Sequence, residues 1–469
     1  MQLVAYGAQD IYLTGNPQIT FFKVVYRRHT NFSIESIQQT FNGTADFGKK
    51  VSCTISRNGD LVHRIYLQAT LPEVTTETNS AERWVDWIGE KLINFVEIEI
   101  GGQRIDRHYG EWLHIWNQLS NNPGHEEGYH RMVGNVPKLV STKTTDSTTT
   151  TIESTELYVP LQFWFCRNPG LALPLISLQY HEVKINIEFQ ELKNLYLRFS
   201  SAVGDPATPN SLQSSEASLV EASLWVDYIF LDTDERRRFA QLSHEYLIEQ
   251  LQFPGEETIS SATAKIRLNF NHPVKELVWV VQKQNSIDKL QGFNYTDRLD
   301  STPLLTHSPL GNTLLSGLAA NLEAVDTSST LSLQILNGDT GVNCCSRARL
   351  QLNGQDRFAE RSGDYFNYVQ PYNHHNRTPH VGINVYSFGL KPEEHQPSGT
   401  CNFSRIDNAN LFLNVTSNTL NKGTVSQTNG IIRENLGTTS ADNAKVRIYA
   451  TNYNVLRIMS GMGGLAYSN

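Results

Sequence analysis

Five histidines are the residues of this chain whose type and spacing could bind a metal ion. His374, His375 and His380 lie close together in a stretch rich in Asn and Pro, and His108 and His114 form a second pair. A metal site needs three or four ligands that converge from rigid elements. Adjacent side chains on a strand point to opposite faces, and no Cys, Asp or Glu lies at a familiar spacing from these histidines. The sequence therefore predicts neither a metal site nor a cofactor site.

Glu97 and Glu99 are the carboxylates best placed for acid–base chemistry, because residues two apart lie on one face of a strand. Glycosidases need two carboxyl groups across a cleft, whereas Glu alternating with Ile on one strand is more typical of a solvated face. The run Arg236–Arg238 could contact phosphate, but its acidic neighbours favour a solvated, paired helix. No nucleophile elbow, P-loop, dinucleotide fingerprint or metalloprotease motif is present. We therefore predict no catalytic residue and interpret the chain as a non-enzyme.

Composition limits the partners of the chain. Its 469 residues include 39 Lys and Arg against 47 Asp and Glu, a net charge of −8, which argues against a nucleic-acid partner. The apolar runs are far shorter than the ~20 residues that span a bilayer, and no secretory signal is visible. Five cysteines without C-x-x-C spacing indicate synthesis in a reducing cytosol. We expect Cys344 and Cys345 to be buried free thiols, although adjacent cysteines could also be mutually exclusive redox partners.

Six Asn-x-Ser/Thr sequons could carry surface glycans. Because no signal peptide is visible, we expect the host oligosaccharyl machinery not to reach them. They begin at Asn31, Asn42, Asn294, Asn376, Asn402 and Asn414.

Alternation of apolar and polar residues with a period of two dominates the chain and predicts strands with one buried face. The clearest cases are 51–56, 65–71, 96–100, 184–189, 266–270, 350–352, 411–415 and 446–449. Pairs that favour tight hairpin turns are Asn58-Gly59, Gly101-Gly102, Asn337-Gly338 and Asn353-Gly354.

Helices are predicted to be few and short. A capping box at Asn79 predicts a helix that carries Trp84, Trp87 and Ile88 on one face. The spacing of apolar residues predicts a second helix over 112–119. Asp232 is predicted to cap a third, which would connect two domains. Polar stretches without alternation are predicted surface loops, at 141–151, 200–218 and 420–443.

The two halves of the chain share a series of short motifs in the same order. Residues 98–103 (IEIGGQ) match 350–355 (LQLNGQ), and Gly110-Glu111-Trp112 matches Gly363-Asp364-Tyr365. The offsets are 354 − 102 = 252 and 363 − 110 = 253. Residues 184–187 match 410–413 at a smaller offset, which indicates an insertion in the first half. A duplicated β domain explains this order better than the alternation common to all β domains.

Long sequence blocks in both halves carry a family resemblance. They are 5–23 (AYGAQDIYLTGNPQITFFK), 26–32 (YRRHTNF), 224–232 (LWVDYIFLD), 244–249 (HEYLIE), 361–366 (RSGDYF), 386–392 (YSFGLKP), 402–407 (NFSRID) and 449–457 (YATNYNVLR). In these blocks the chain resembles the major capsid proteins of nucleocytoplasmic large DNA viruses.

The resemblance implies an all-β fold of two consecutive eight-stranded antiparallel jelly-roll sandwiches, a double jelly roll, with a few short helices and long surface loops. The implied segments are an N-terminal arm (1–27), a first jelly roll (28–231), a helical linker (232–243) and a second jelly roll (244–469). It also implies a non-catalytic major capsid protein that homotrimerises into pseudo-hexagonal capsomers. These capsomers would tile the icosahedral shell of a large DNA virus.

The implied location is the virion, after synthesis and assembly in the host cytoplasm. The arm would face the particle interior, towards minor capsid proteins and an internal membrane that the chain itself does not span. The turn Gly15-Asn16-Pro17 with Ile19, Phe21 and Phe22 suits docking on a partner, although the arm could instead pack on its own domain. The insertion at 141–151 and the loop at 200–218 would lie on the outer surface.

Two other functions are compatible with the residues alone. A jelly-roll lectin or receptor-binding spike would need an aromatic-lined sugar site in the loops. A two-domain β-sandwich glycosidase would need a carboxylate pair across a cleft.

Overall fold

The computed structural model describes residues 7–18, 24, 26–76, 80–140, 143–144, 151–200, 217–299, 341–428 and 431–467. Strands dominate these residues, and the helices between them are short.

The first half of the chain forms two four-stranded antiparallel sheets that enclose one apolar core. The first sheet has the order β1-β14-β3-β10 and consists of β1 (Phe32–Gln39), β14 (Glu221–Leu231), β3 (Leu61–Leu71) and β10 (Thr155–Pro160), with β11 (Leu173–Pro174) also on β3. The second has the order β2-β12-β6-β7 and consists of β2 (Lys50–Thr54), β12 (Val183–Phe189), β6 (Ile93–Ile100) and β7 (Gln103–Tyr109). Short accessory strands are β4 (Val74–Thr75), β5 (Ser80–Trp84), β8 (Lys143–Thr144), β9 (Thr151–Ile152) and β13 (Tyr196–Ser200).

The second half repeats this architecture around its own core. Its first sheet has the order β15-β27-β18-β22 and consists of β15 (His244–Gln252), β27 (Ala444–Met459), β18 (Pro273–Lys283) and β22 (Ile383–Ser387). Its second has the order β17-β24-β19-β20 and consists of β17 (Thr263–Arg267), β24 (Ala409–Val415), β19 (Cys345–Leu352) and β20 (Gln355–Asp356). Accessory strands are β16 (Glu256–Ile259), β21 (Arg361–Ser362), β23 (Cys401–Asn402), β25 (Asn421–Thr428), β26 (Ile431–Ala441) and β28 (Met462–Leu465).

Strand for strand, the two halves have the same order, which confirms the predicted double jelly roll. The matched motifs occupy equivalent places: 98–103 forms the turn between β6 and β7, and 350–355 forms the turn between β19 and β20. Both turns need two consecutive positive φ angles, which Gly101-Gly102 and Asn353-Gly354 supply. Two predicted hairpins are thereby confirmed.

The helices are α1 (Ile11–Thr14), α2 (Ile88–Leu92), α3 (Gly110–Ser120), α4 (Glu126–Val133), α5 (Pro137–Val140), α6 (Trp164–Arg167), α7 (Thr233–Gln241), α8 (Gln284–Asp288) and α9 (Gln370–His374). A π-helical segment, Tyr365–Val369, leads directly into α9. Single 3₁₀ turns are Pro123–His125, Pro169–Leu171, Leu175–Ser177, Leu192–Asn194, Phe403–Arg405 and Ser417–Leu420. The predictions of a helix over 112–119 and of a helix capped by Asp232 are confirmed, since Asp232 accepts a hydrogen bond from the Thr233 backbone N–H.

A glycine begins the helical segment that follows the β6–β7 and β19–β20 turns in each half. A Cβ on Gly110 would lie 2.3 Å from the carbonyl oxygen of Ile93, the first residue of β6. A Cβ on Gly363 would lie 1.9 Å from the carbonyl oxygen of Cys345, the first residue of β19. The same close approach of helix to strand thus explains why the Gly-acid-aromatic step begins with glycine in both halves.

Three predictions of secondary structure are wrong. The capping box near Asn79 does not begin a helix: Trp84 ends β5, where it pairs with Tyr196 of β13, and the helix starts only at Ile88. Asn58-Gly59 is not a hairpin turn, because β2 and β3, which it connects, lie in different sheets. The polar stretch 420–443 contains the hairpin β25–β26, which forms although the sequence shows no alternation there.

Several other predictions lie wholly or partly outside the described residues. Asn337-Gly338 is outside, as is 201–216 within the predicted loop 200–218. In the stretch 141–151, residues 143–144 form β8 on β5, and 151 begins β9. The boundaries of the four predicted segments remain a prediction.

Candidate assembly surfaces

The two longest connections of each sandwich leave from the same end, which we call the insertion end. In the first sandwich, Leu71 at the end of β3 pairs with Thr155 at the start of β10, and Thr70 pairs with Glu221 at the start of β14. The connections 72–92, 110–154 and 190–220 are therefore anchored at this end. In the second sandwich, Lys283 at the end of β18 pairs with Ala444 at the start of β27. This pairing anchors 284–344 and 416–443 in the same way.

The insertion ends of the two sandwiches meet. Arg377, from the connection between β20 and β22, donates its backbone N–H to the Leu119 carbonyl oxygen of α3 (3.1 Å). Its guanidinium also donates to Glu126 of α4 (2.7 Å). Both ends therefore lie on the same side of the molecule. The start of β1 pairs with the end of β14, Phe32 with Leu231, so the N-terminal arm leaves from the opposite end.

A continuous apolar junction joins the two sandwiches. Helix α3 of the first sandwich packs on the outer face of the sheet β15-β27-β18-β22 of the second. Strand β18 is consequently buried on both faces: Leu277, Trp279 and Val281 point to its own core, and Val278 and Val280 point to the junction. The other buried apolar members are Trp87, Trp112, Ile115, Trp116, Leu119, Val133, Phe293, Tyr295, Ile383, Val385 and Tyr449.

Glu111 of α3 is the ionic centre of this junction. Its carboxylate lies 2.7 Å from Nε of Arg447 on β27. It also accepts hydrogen bonds from the hydroxyls of Tyr295 (2.9 Å) and Tyr449. Burial alone would raise the pKa of Glu111, but Arg447 and the Tyr449 hydroxyl outweigh burial and hold that pKa below its usual value. Three side chains of the second sandwich thus stabilise one carboxylate of the first.

Lys91 of α2 adds a second charged contact across the junction. Its ammonium lies 4.8 Å from the centre of the Phe293 ring, a cation–π contact. Burial lowers the pKa of Lys91 to about 8.

The ion pair between Glu111 and Arg447 was not predicted from the sequence, because the two residues are far apart in the chain. The repeated Gly110-Glu111-Trp112 step did mark the position of Glu111.

Exposed apolar residues mark surfaces that the described chain does not cover. In the arm, the side chains of Ile11, Tyr12 and Leu13 on α1 are 66%, 90% and 83% exposed. The predicted turn at Asn16 is present, with a φ of 50°. Ile19, Phe21 and Phe22 lie outside the described residues. Residues 7–18 of the arm therefore present their large apolar side chains to solvent.

The candidate histidines do not converge on one site. His375 is buried and lies between two carboxylates, with Nε2 2.9 Å from Glu276 and Nδ1 2.8 Å from Glu393. His374 contacts the Leu390 carbonyl oxygen through Nδ1 (2.9 Å). His380 lies apart from them at the junction, with its ring centre 6.4 Å from that of Trp87. In the described part of the chain, no group of three or more His, Cys, Asp or Glu is arranged to hold a metal ion.

The second histidine pair is also divided between two environments. His108 lies 2.9 Å from Asp106, with both side chains buried. His114 on α3 lies 2.7 Å from Glu90, which also accepts a hydrogen bond from the Tyr129 hydroxyl (2.6 Å). Each imidazole is thus matched with one buried carboxylate as an internal structural pair.

The prediction of a solvated face for Glu97 is wrong. Glu97 is buried beneath two long side chains, Arg107 (2.6 Å) from the adjacent strand β7 and Lys50 (3.2 Å) from β2, which lies two strands away on the other side. Burial would raise the pKa of Glu97, but hydrogen bonds from Arg107 and Lys50 lower it. Glu99 is partly exposed. Within the run Arg236–Arg238, Arg236 forms an ion pair with Asp60 (3.0 Å) and Arg238 with Glu235 (3.6 Å).

The cysteine prediction is confirmed: Cys344 and Cys345 are buried free thiols, and burial raises the pKa of each to about 12.

Most of the sequon asparagines are buried or form hydrogen bonds within the protein. Asn294 is buried, Asn376 bonds Glu393 and Asn414 bonds Glu360, whereas Asn31 is exposed. No helix in the described ranges is long and apolar enough to cross a membrane.

Two family models together match most of the chain. "Major capsid protein N-terminus" matches residues 20–232, and "Large eukaryotic DNA virus major capsid protein" matches residues 235–464. The faustovirus major capsid protein, at 14% identity, shares the fold, with a TM-score of 0.67 over 97% of this chain and 94% of that one. Fold and family models thus define a viral capsid protein of the double jelly-roll class.

Sequence relatives narrow this class. The chain is 51% identical to the major capsid protein of Phaeocystis pouchetii virus and 46% identical to that of Paramecium bursaria Chlorella virus 1, over 100% of this chain and 99% of each relative. A quasi-atomic model of the PBCV-1 virus capsid matches with a TM-score of 0.71 at 41% identity, over 96% of this chain and 100% of that one. The chain belongs to the family of large eukaryotic DNA virus major capsid proteins, structural proteins of the virion shell.

Proposed function

We propose that the chain homotrimerises into pseudo-hexagonal capsomers, which tile the icosahedral shell of a large DNA virus without catalysis. The observation that carries this proposal is the duplication: two sandwiches of equal strand order lie side by side in one chain. Three such chains around a three-fold axis place six similar walls at near-hexagonal positions. A hexagonal outline lets one building block pack in a lattice.

The division of the chain follows from the same proposal. An arm (1–27), a first jelly roll (28–231), a helical linker (232–243) and a second jelly roll (244–469) would give one wall to each jelly roll. An obligate trimer of this kind is expected to bury more than ~2,000 Å² per interface, mostly apolar at its centre.

The two ends of the molecule suggest its orientation in the shell. We assign the insertion end to the outside of the particle and the arm to the inside, where minor capsid proteins and an internal membrane would lie. The exposed Ile11, Tyr12 and Leu13 support a docking role for the arm over packing on its own domain. The net charge of −8 supports a position without nucleic-acid contact. Assembly in the host cytoplasm and glycans on exposed loops belong to the same proposal.

Light scattering on the purified, folded protein tests the proposal. The expected mass is 3 × 52.9 = 158.7 kDa, unchanged by dilution through the micromolar range. A variant that lacks residues 1–27 is expected to remain a trimer of correspondingly lower mass but to lose binding to minor capsid proteins. A well-folded monomer of 52.9 kDa with a cooperative melt would overturn the trimer.

A further inference from the structure

Helix α3 provides a template for how one sandwich docks on another. Its residues Ile115, Trp116 and Leu119 are buried in the junction, where they pack on the second sandwich. Leu113 on the other side of the helix points into the core of its own sandwich. The helix therefore has one face for its own domain and one for its neighbour.

The helical segment 363–374 occupies the equivalent position in the second sandwich. Adding the offset of 253 to Leu113 gives Phe366, which is buried in the second core just as Leu113 is buried in the first. Adding 253 to Ile115, Trp116 and Leu119 gives Tyr368, Val369 and Tyr372.

These three residues are 38%, 44% and 81% exposed. The positions that make the junction in the first sandwich are thus apolar or aromatic in the second, but there no other sandwich of the described chain covers them. We call Tyr368, Val369 and Tyr372 the helix face.

A matching face lies on the first sandwich. Helix α3 of the first sandwich covers the outer face of one sheet of the second sandwich, β15-β27-β18-β22. The equivalent sheet of the first sandwich is β1-β14-β3-β10, where β3 alternates between buried and partly exposed residues instead of being buried on both faces. Its outward residues Tyr66, Tyr158 and Trp225 form a row, with ring centres 6.2 and 6.3 Å apart.

Strand β1 extends this row towards the sheet edge. Ser36 lies 3.3 Å from the Tyr66 hydroxyl, which places the alternate residues of β1 on the same outward face. Phe32 and Ile34 on that face are each 53% exposed. We call the outward residues Phe32, Ile34, Ser36, Tyr66, Tyr158 and Trp225 the sheet face.

We propose that the helix face of one copy docks on the sheet face of the next, repeating between chains the junction that α3 makes within one chain. The contact is heterologous, since each copy uses two different surfaces, and it closes into a ring after three copies. The inference rests on the proposed trimer and names the surfaces that hold it together. Aromatic residues form the larger part of both faces, two of three on the helix face and four of six on the sheet face, and aromatic residues are enriched at protein interfaces.

A charge on the helix face tests the proposal. Tyr372→Glu places an unpaired carboxylate in an apolar contact, and we expect the mass to fall threefold, from 158.7 to 52.9 kDa. The matched control is Tyr180→Glu, a change of the same type at a residue that is 76% exposed outside both faces. It is expected to remain trimeric. Circular dichroism shows whether the Tyr372→Glu chain is folded.

Cysteine pairing tests the same contact without disrupting it. In a Cys401→Ser background, Tyr372→Cys and Ser36→Cys are combined in one chain, and the protein is oxidised. A second variant combines Val369→Cys with Gln68→Cys, in case the helix face sits in a slightly different register on the sheet face. Crosslinked species are expected up to the trimer and no further. A mixture of the two single-cysteine variants is expected to stop at the dimer, because each such chain has only one of the two thiols.

The outcomes separate this inference from the proposed function. If wild-type protein is a monomer, the proposed trimer fails and this inference fails with it. If wild-type protein is a trimer, but Tyr372→Glu stays trimeric or neither cysteine pair crosslinks, the trimer stands and the proposed faces are wrong.

Discussion

Replacing Gly110 by Ala should destabilise the protein, because it disturbs a tight contact between helix and strand that both halves of the fold share. The added Cβ would lie 2.2 Å from the Glu90 carbonyl oxygen and 2.3 Å from that of Ile93. Both are backbone atoms, so no side chain can rotate away to relieve the contact. Gly363→Ala makes the equivalent change in the second sandwich, 1.9 Å from the Cys345 carbonyl oxygen.

The displacements set the expected magnitude. Real Cβ contacts are essentially never under 3.0 Å, so the backbone must move by 3.0 − 2.2 = 0.8 Å at Gly110 and by 3.0 − 1.9 = 1.1 Å at Gly363. Overpacking of this kind costs about 3 kcal/mol or more in a close-packed interior. In a domain of this size, such a loss lowers the melting temperature by roughly 6–12 °C.

Thermal melts of the purified variants measure the effect, with Gly128→Ala as the matched control. Gly128 lies on the exposed side of α4 with no atom within 4 Å of an added Cβ, so alanine should stabilise the helix by about 0.5–1 kcal/mol. If Gly110→Ala and Gly363→Ala melted like wild type, the close packing of helix on strand would be refuted. So would our explanation of the repeated Gly-acid-aromatic step.

Two further predictions concern buried titratable groups. Burial disfavours charge on His375, but Glu276 and Glu393 outweigh burial and raise its pKa to about 9. A free His has a pKa of about 6.5, so charged His375 contributes on the order of 3 kcal/mol to the free energy of unfolding. This stabilisation is complete below pH 6.5 and is lost as the pH rises through 9. The melting temperature of wild type should therefore fall between pH 7 and 9.5 more steeply than that of His375→Gln, and parallel curves would exclude a charged His375. Of the five cysteines, only the partly exposed Cys401 should react with a thiol reagent in the native protein, whereas all five should react in denaturant. Rapid native labelling of Cys344 or Cys345 would contradict their burial.

Local signals allowed much of the fold to be predicted from the sequence. Strands with one solvated face show alternation, and the turns at Gly101-Gly102 and Asn353-Gly354 need a backbone that few residues adopt. The predictions failed where a long-range contact decided the structure. Trp84 lies in a strand because it pairs with Tyr196, more than a hundred residues further on, and no local capping signal reveals that partner.

The candidate site was harder to predict than the fold. Glu97 was predicted to be solvated because its own strand alternates, but two cations from other strands cover it. The junction pair of Glu111 and Arg447 joins residues from opposite ends of the chain, which no spacing can indicate. The offset between the halves was the useful signal, because it relates the buried face of α3 to the exposed face of 363–374.

In the proposed capsomer, the grouping of the longest connections at one end separates two tasks. The walls of the sandwiches would set the width of the building block, so a change there would have to fit every neighbour in the shell. A connection at the insertion end can lengthen or shorten without altering that width. The alignment with the Phaeocystis pouchetii virus protein spans 535 positions against 469 residues here, so sizeable gaps are already tolerated between relatives. With the insertion end outwards, as we propose, a virus of this family could change the surface that its host meets while keeping the dimensions of its shell.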